Sequence, residues 1–560
     1  MKTVFSSVAF CFIVSMSFSQ FQHSFGTAKT ELGKSLTQLH EVEKGYLVAG
    51  YTSRGYIGNL DATLVKTNLA GNQVWSHVYG GQDYEFFNSV RQSTYFSPNN
   101  PVAYVAAGIT RSYGHGGGDA YMQGVDVNGT PVFSTVYGGK EYDVAHCIQN
   151  NRDVTGEPGY IFVGETNSYA NSLPGTNVYV VKTDLFGNLK AATVIGNEGN
   201  QRGLWIEQTK DGGYIVSGST TNYWCGVNTT IAHPPTDIFV IKLKPDLSVE
   251  WDRVFGYPEQ LNPTVGYRNE ATCVKQNNQG NYVLTGYTNS FGINDSYDVF
   301  MLYLDGNGGL LGLKTYGTKA TEQGYGLEET VDSAGNSSYT IVGHQKTTSY
   351  KAIMLQVNSW GVPTWAFKYG DNKDESGLEI VKDVYDRGYA FTGYTTSLGA
   401  GDRDIYLVET TATGKTNTFC QKEMQLEVKK HQPCIAKIAK QFFVKDYKKI
   451  EVKDKKIEYK QSRCNPIFDA NTEKTKSIEE SSIALFPNPV SNLLTIENKN
   501  KAMIIKVEVF DIQGTMVLAK NDVGKKRKIE LSTETLSQGT YVVKLSTKKG
   551  DTQIIKFVKK

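Results

Sequence analysis

The sequence predicts an all-β fold, and three observations carry the prediction. The 560 residues include 56 Gly and 34 Tyr but only 15 Pro, a composition suited to many short strands joined by tight turns. A short apolar strand ending in Gly recurs seven times at near-equal spacing. The last ~80 residues alternate apolar and polar in short runs punctuated by Gly. Charged residues at 20% and hydrophobics at 39% exclude a highly charged disordered chain and a membrane bundle.

Residues 1–19 read as a secretory signal. Lys2 supplies the positive start, Val4 to Val14 the apolar centre, and Ser17 and Ser19 the small residues before a cut at Gln20. No later apolar run approaches the ~18 residues of a spanning helix. Cys11 leaves with the signal. Cys147, Cys225, Cys273, Cys420, Cys434 and Cys464 remain, and sequence cannot choose among their pairings.

Residues 20–420 hold the repeats. The Gly-ended strands finish at Gly50, Gly108, Gly164, Gly218, Gly286, Gly343 and Gly393. Each has a further strand before it and two after it, the last ending in Tyr-Gly or Phe-Gly in most units. Four antiparallel strands in a unit of roughly 50–60 residues cannot bury both faces alone, and radial stacking solves this. The expectation is a seven-bladed β-propeller; two β-sandwiches fit seven repeats less well. The seventh unit lacks its outer strand, and FQHSFGT (Phe21–Thr27) resembles KTYGT (Lys314–Thr318). The N-terminal segment is therefore expected to complete the last blade and remove an exposed edge.

Charge divides the chain. Residues 20–420 hold 28 Lys+Arg against 39 Asp+Glu, whereas 421–480 hold 15 against 10 and 481–560 hold 14 against 7. An acidic array argues against nucleic-acid binding, which needs clustered cations. Residues 421–480 read as a Lys-rich linker, either solvated or attracted to an anionic surface. Residues 481–560 read as a small antiparallel β-sandwich.

Three motifs in that last stretch carry a resemblance. LFPNPVSNLLTI (Leu485–Ile496, with Pro487, Asn488 and Pro489), VFDIQGTMV (Val509–Val517, with Gly514) and LSQGTYVVKL (Leu536–Leu545, with Gly539 and Tyr541) closely resemble the type A C-terminal sorting domain of type IX secretion substrates. The resemblance implies a Bacteroidetes-type origin, contact with the type IX machinery, passage across the outer membrane to the surface or medium, and removal of the tail within Asn471–Ser482. More loosely, the repeats resemble propeller arrays of such secreted proteins, a likeness that carries no activity.

Several residue sets compete for a functional role. DVNG (Asp126–Gly129) and DGNGG (Asp305–Gly309) look like calcium-loop fragments but lack the remaining ligands, so they read as turns. Thr52, Thr110, Thr166, Thr220, Thr288 and Thr395 stand opposite Asp61, Asp119, Asp237, Asp298 and Asp404 at hairpin bases, suited to hydroxyl–carboxylate bonds or, less simply, to calcium. Glu31, Glu85, Glu322 and Glu375, with Glu141, Asp143 and Glu270 within one residue of the same place, are expected to ring one mouth of the channel. They would accept backbone N–H bonds between blades or recruit a cation.

The two longest insertions, Thr221–Asp237 and Gly256–Glu270, belong to the same face. Tyr223, Trp224, Tyr257, Tyr267 and Arg268 offer platforms for sugar rings or peptide side chains. No HExxH, GxSxG or phosphate-cradling motif is present, and no cofactor is called for beyond possible calcium. The reading is a secreted binding protein for a glycan or protein. A propeller glycosidase or lyase, or a purely structural surface component, is the alternative.

Overall fold

The computed structural model describes residues 20–467 and 483–560 apart from internal stretches, of which 222–235 and 257–266 are the longest. Residues 1–19, where a secretory signal is expected, lie outside these. The described residues form strands and turns only, in two units, Met1–Ala470 and Asn471–Lys560.

The first unit contains seven five-stranded sheets. The first is built on Glu31–Leu39, Gly45–Thr52, Asp61–Asn68 and Gln73–Gly80, and the next five repeat this order. The seventh takes Glu375–Lys382, Gly388–Thr395 and Asp404–Thr411 from one end of the array and Gln22–Gly26 from the other. Phe25 stands opposite Ile405 and Gln22 opposite Val408. Middle strands such as Tyr104–Thr110 and Asp119–Val125 are buried along their whole length, which explains their near-continuous apolar composition. Each sheet is covered on both faces because a separate hydrophobic core lies between every successive pair. A seventh core, with Phe25, Ile405 and Leu407 against Leu36 and Val48, joins the last sheet to the first.

Two devices make the repeat fit. The innermost strand of every sheet carries a β-bulge opposite the recurrent Gly, as between Gly203 and Trp205 facing Gly218. The bulge drives a carbonyl into the space a side chain would take. A Cβ on Gly218 would lie 1.7 Å from the Arg202 oxygen, and one on Gly286 1.8 Å from that of Glu270. The second device is the Tyr closing several outer strands. Tyr79, Tyr316 and Tyr369 donate to the carbonyls of Gly129, Gly361 and Gly414 at 2.7, 2.9 and 2.6 Å, each in a turn of the next sheet. In turns of this kind the would-be calcium aspartates accept backbone N–H groups: Asp126 from Asn128 and Thr130, Asp305 from Asn307 and Gly309, all at 2.8 Å.

The stretch that composition assigns to a Lys-rich linker (421–480) is structured over much of its length. Gln421–Glu423 pairs with the outer strand of the sixth sheet, Glu427–His431 with the fifth, and Cys434–Ala436 with the fourth. Phe443–Asp446 continues on the third, Glu451–Asp454 on the second and Glu458–Gln461 on the first. Asn465–Ile467 ends the series on Gln22–Gly26. This belt visits the sheets in reverse order and caps every outer edge. An outer strand presents unpaired N–H and C=O groups, and backbone pairing satisfies them whatever the side chains are. Lysine content was therefore a poor guide to this segment.

The second unit has a three-stranded sheet, with Leu493–Asn498 at its centre, and a four-stranded sheet containing Ile504–Asp511 and Gly539–Thr547. Leu494, Ile496 and Ile529 of the former share one core with Val507, Val543 and Phe557 of the latter.

Two outcomes follow from this packing. A chain ending at Ala470 melts several degrees above one ending at Cys420 in a calorimetric scan; equal melting would show the belt to be energetically idle. Gly218→Ala loses about 3 kcal/mol or more in denaturant titration, because the Arg202–Gly203 backbone must move.

Candidate functional site

Each innermost strand carries, at its first or second residue, a buried polar side chain that works as a clasp. Glu85 accepts the N–H groups of Gly81 and Ser112 at 2.9 and 3.1 Å and the Thr110 hydroxyl at 2.8 Å. Glu31 does the same with Thr27 N–H at 3.0 Å and the hydroxyls of Thr27 and Thr52 at 2.8 and 2.9 Å. Glu322 holds Thr318, and Glu375 pairs with Lys351 Nζ at 2.7 Å. Each Glu clasp of the first two sheets thus ties the end of one sheet's outer strand to the second strand of the next.

Two expected members of this set are displaced. Glu141 is exposed, and Asp143 takes its place, accepting Gly139 N–H at 2.8 Å and the Ser168 hydroxyl at 2.6 Å. Asn269 replaces Glu270 and accepts the Thr288 hydroxyl at 2.5 Å. The recurrent Thr hydroxyls therefore turn to the clasps. Thr110 and Asp119 are in register across the hairpin, yet the Thr110 hydroxyl donates to Glu85.

Those Asp residues face the clasps across a glycine. A Cβ on Gly80 would lie 2.3 Å from Asp61 Oδ1 and 2.8 Å from Glu85 Oε2; on Gly138, 2.2 Å from Asp119 and 2.6 Å from Asp143. Burial first, and the facing carboxylate second, push Asp61 up to about 7. Burial, helped by Asp143, takes Asp119 to about 6. Burial alone takes Asp237 to about 7 against a hydrogen bond from Asn269. Among the described residues no group of three or more His, Cys, Asp or Glu is placed to hold a metal ion.

Further along the innermost strands, charged side chains from four other sheets link up around Trp205 of the fourth. Arg91 and Lys275 lie 5.4 and 6.0 Å from its ring centre. Arg91 reaches Glu379 at 3.0 Å, and Lys275 reaches Glu328 at 3.3 Å. Lys34 donates to Asn88 at 2.8 Å; burial first and Arg202 second lower its ammonium to about 8.

Where the third, fourth and fifth sheets meet, a cleft of about 310 Å³ opens. It is lined by Glu165, Arg202, Arg268, Glu270 and Asn200, with the hydroxyls of Thr176, Ser219, Thr221 and Thr236. Glu165 accepts Arg202 Nε at 3.0 Å and lies 3.4 Å from His146 Nε2. Burial opposes its charge, but His146 and Arg202 outweigh that and hold the carboxyl below its usual range. Burial, then Glu270, raise the neighbouring Tyr287, so its hydroxyl stays protonated.

Both long insertions are anchored here. Thr236 N–H donates to the Tyr267 carbonyl at 3.0 Å, and Asn269 N–H to the Thr236 carbonyl at 2.8 Å. Arg268 and Glu270 line the cleft, Tyr267 is half-buried beside it, and Tyr223, Trp224 and Tyr257 lie outside the described residues. Sequence reasoning missed Glu165 and Arg202. Aligning the repeats by column exposes both. Arg202 stands where Leu32, Phe86 and Val144 stand in earlier sheets, and Glu165 where Tyr51, Ile109 and Tyr287 stand elsewhere.

In the second unit, Gly539 opens a strand, Tyr541 is buried with its hydroxyl 2.9 Å from the Ser537 carbonyl, and Pro489 is exposed. Pro487, Asn488 and Gly514 lie outside the described residues. Residues 484–560 match the secretion system C-terminal sorting domain. The chain is a type IX secretion substrate, located outside the cell or on its surface. Among solved structures, Sqt1 from Chaetomium thermophilum is similar at 9% identity and a TM-score of 0.35, over 66% of this chain and 82% of that one. The extracellular domain of BT4673 from B. thetaiotaomicron is similar at 11% identity and a TM-score of 0.20, over 95% and 76%. No curated protein matches the chain.

The raised carboxyls fix a pH dependence. Asp61, Asp119 and Asp237 keep their protons in the folded state while the unfolded chain loses them near 3.8, so their contribution is complete below that value and is lost as pH rises to about 7. Asp61→Asn with Asp119→Asn is expected to raise the melting temperature at pH 8 and leave it nearly unchanged at pH 4. A parallel shift at both values would contradict this.

Proposed function

We propose that the seven sheets are the blades of a closed β-propeller and that this secreted protein binds a glycan in the cleft bounded by Glu165, Arg202, Arg268 and Glu270. The propeller reading is supported by seven cores that run in a circuit back to the first sheet, and by side chains of five innermost strands linked around Trp205. Radial sheets expose one set of loops on each face, and the cleft opens on the face that carries the two longest insertions.

The observation that carries the binding reading is the composition of the cleft wall. Two guanidiniums, two carboxylates, an amide and four hydroxyls converge in about 310 Å³, at the foot of both insertions. Polyols present dense, alternating donors and acceptors. Such a wall matches them group for group, and its charge-assisted bonds fix orientation.

Two experiments test the proposal. Deleting Gln22–Gly26 is expected to lower a single cooperative melting transition; independent early melting of the last sheet alone would oppose closure. On a glycan array the secreted chain is expected to retain a defined set of saccharides, with Arg202→Ala or Glu270→Gln weakening retention by about tenfold or more. Retention untouched by either substitution would overturn the cleft assignment. Release of a cleaved product would replace binding with catalysis.

A further inference from the structure

The sixth sheet breaks the pattern of the other six at two facing positions. Two residues beyond the recurrent glycine, where they carry Thr, it carries Gln345; opposite, where they carry Asp or Asn, it carries Lys351. Gln345 does the work of the threonine from a longer arm, its Nε2 donating to Glu322 at 2.6 Å and to the Thr318 hydroxyl at 3.1 Å. Its oxygen then accepts Lys368 Nζ at 3.1 Å, which holds that ammonium in place. Lys351 neutralises Glu375.

Beside this inverted pair lies a cleft of about 660 Å³. Lys319, Lys346 and Lys368 line it together with the hydroxyl-bearing Thr318, Thr321 and Thr347, and no carboxylate lines it among the described residues. The concentration of cations is unusual for a region, 20–420, in which acids outnumber bases by 39 to 28. Lys346 also stands 5.0 Å from the centre of the Tyr350 ring.

We propose that this cleft binds an acidic saccharide, with its carboxylate or sulfate groups each meeting one of the three ammonium groups. The volume falls in the ~300–1,000 Å³ range of organic-ligand sites and far exceeds the needs of a lone ion. Lysines act as separate, strongly hydrated point charges without the planar fork of arginine, which suits monodentate anions spaced along a chain. The threonine hydroxyls meet the ring hydroxyls between those charges. This site shares no residue with the Arg202 cleft, and its assignment stands apart from that one.

The test is calorimetric titration of the full secreted chain with trigalacturonate, a sulfated galactose trisaccharide, neutral galactotriose and inorganic sulfate. At least one acidic trisaccharide is expected to bind, with an affinity that falls as salt rises. Lys319→Glu with Lys346→Glu weakens it by about tenfold or more. Lys190→Glu, at an exposed position on the third sheet, leaves it unchanged, and an unaltered melting temperature shows the double variant folded. The proposal is overturned if neither acidic trisaccharide binds, if galactotriose binds equally well, or if the double variant binds as the parent does. Inorganic sulfate bound as tightly as the saccharides would likewise overturn the assignment to a saccharide.

Discussion

The structure depends on how closely the backbone of each innermost strand approaches its neighbour. The bulge opposite every recurrent glycine shifts the strand by one residue. The side chains before the shift then serve the clasps and the cleft, and those after it meet at Trp205. A side chain at Gly218 or Gly286 would occupy the place of a carbonyl oxygen. The glycine therefore sets the geometry of both the acid-rich junctions and the charged centre. Its role rests on space, because its backbone angles lie outside the left-handed region.

From that constraint the junction chemistry follows. The glycines ending the first and second outer strands leave a gap into which an Asp of one sheet and a clasp of the next both point. Four junctions pair acid with acid, through Asp61–Glu85, Asp119–Asp143, Asp298–Glu322 and Asp404–Glu31. The others substitute Asn177–Gln201, Asp237–Asn269 and Lys351–Glu375. The Glu and Asp clasps gather several hydrogen bonds at their junctions, and at the first two the facing Asp61 and Asp119 are stabilised while they hold a proton. Seven variations on one junction show which parts are indispensable. The backbone N–H acceptor recurs through the Glu and Asp clasps, whereas the charge opposite it is free to change, and at the sixth sheet it reverses.

Much of this was readable from the residues because the repeat is enforced by sterics. A glycine that must accept a carbonyl leaves a mark in the sequence, as does the Tyr that reaches the next turn, and the Phe-Gly ending of FQHSFGT shares that mark. The belt leaves none. Its strands are three to five residues long and bond through the backbone, so composition alone made Glu427–His431 look solvated. The clefts were hidden for a different reason. Glu165, Arg202 and Glu270 come from three sheets at equivalent columns, and only their departure from Leu, Phe or Tyr in those columns marks them.

The belt also has a mechanical consequence. Its last strand, Asn465–Ile467, lies on the first strand of the unit, Gln22–Gly26, which in turn lies on Asp404–Thr411. Tension arriving along the polypeptide from the sorting region meets that three-residue hem before any other stitch. Each successive stitch must part before the load passes to the next sheet. Traction is thereby met by seven small seams one after another, and the buried interior is spared until the last of them has unravelled.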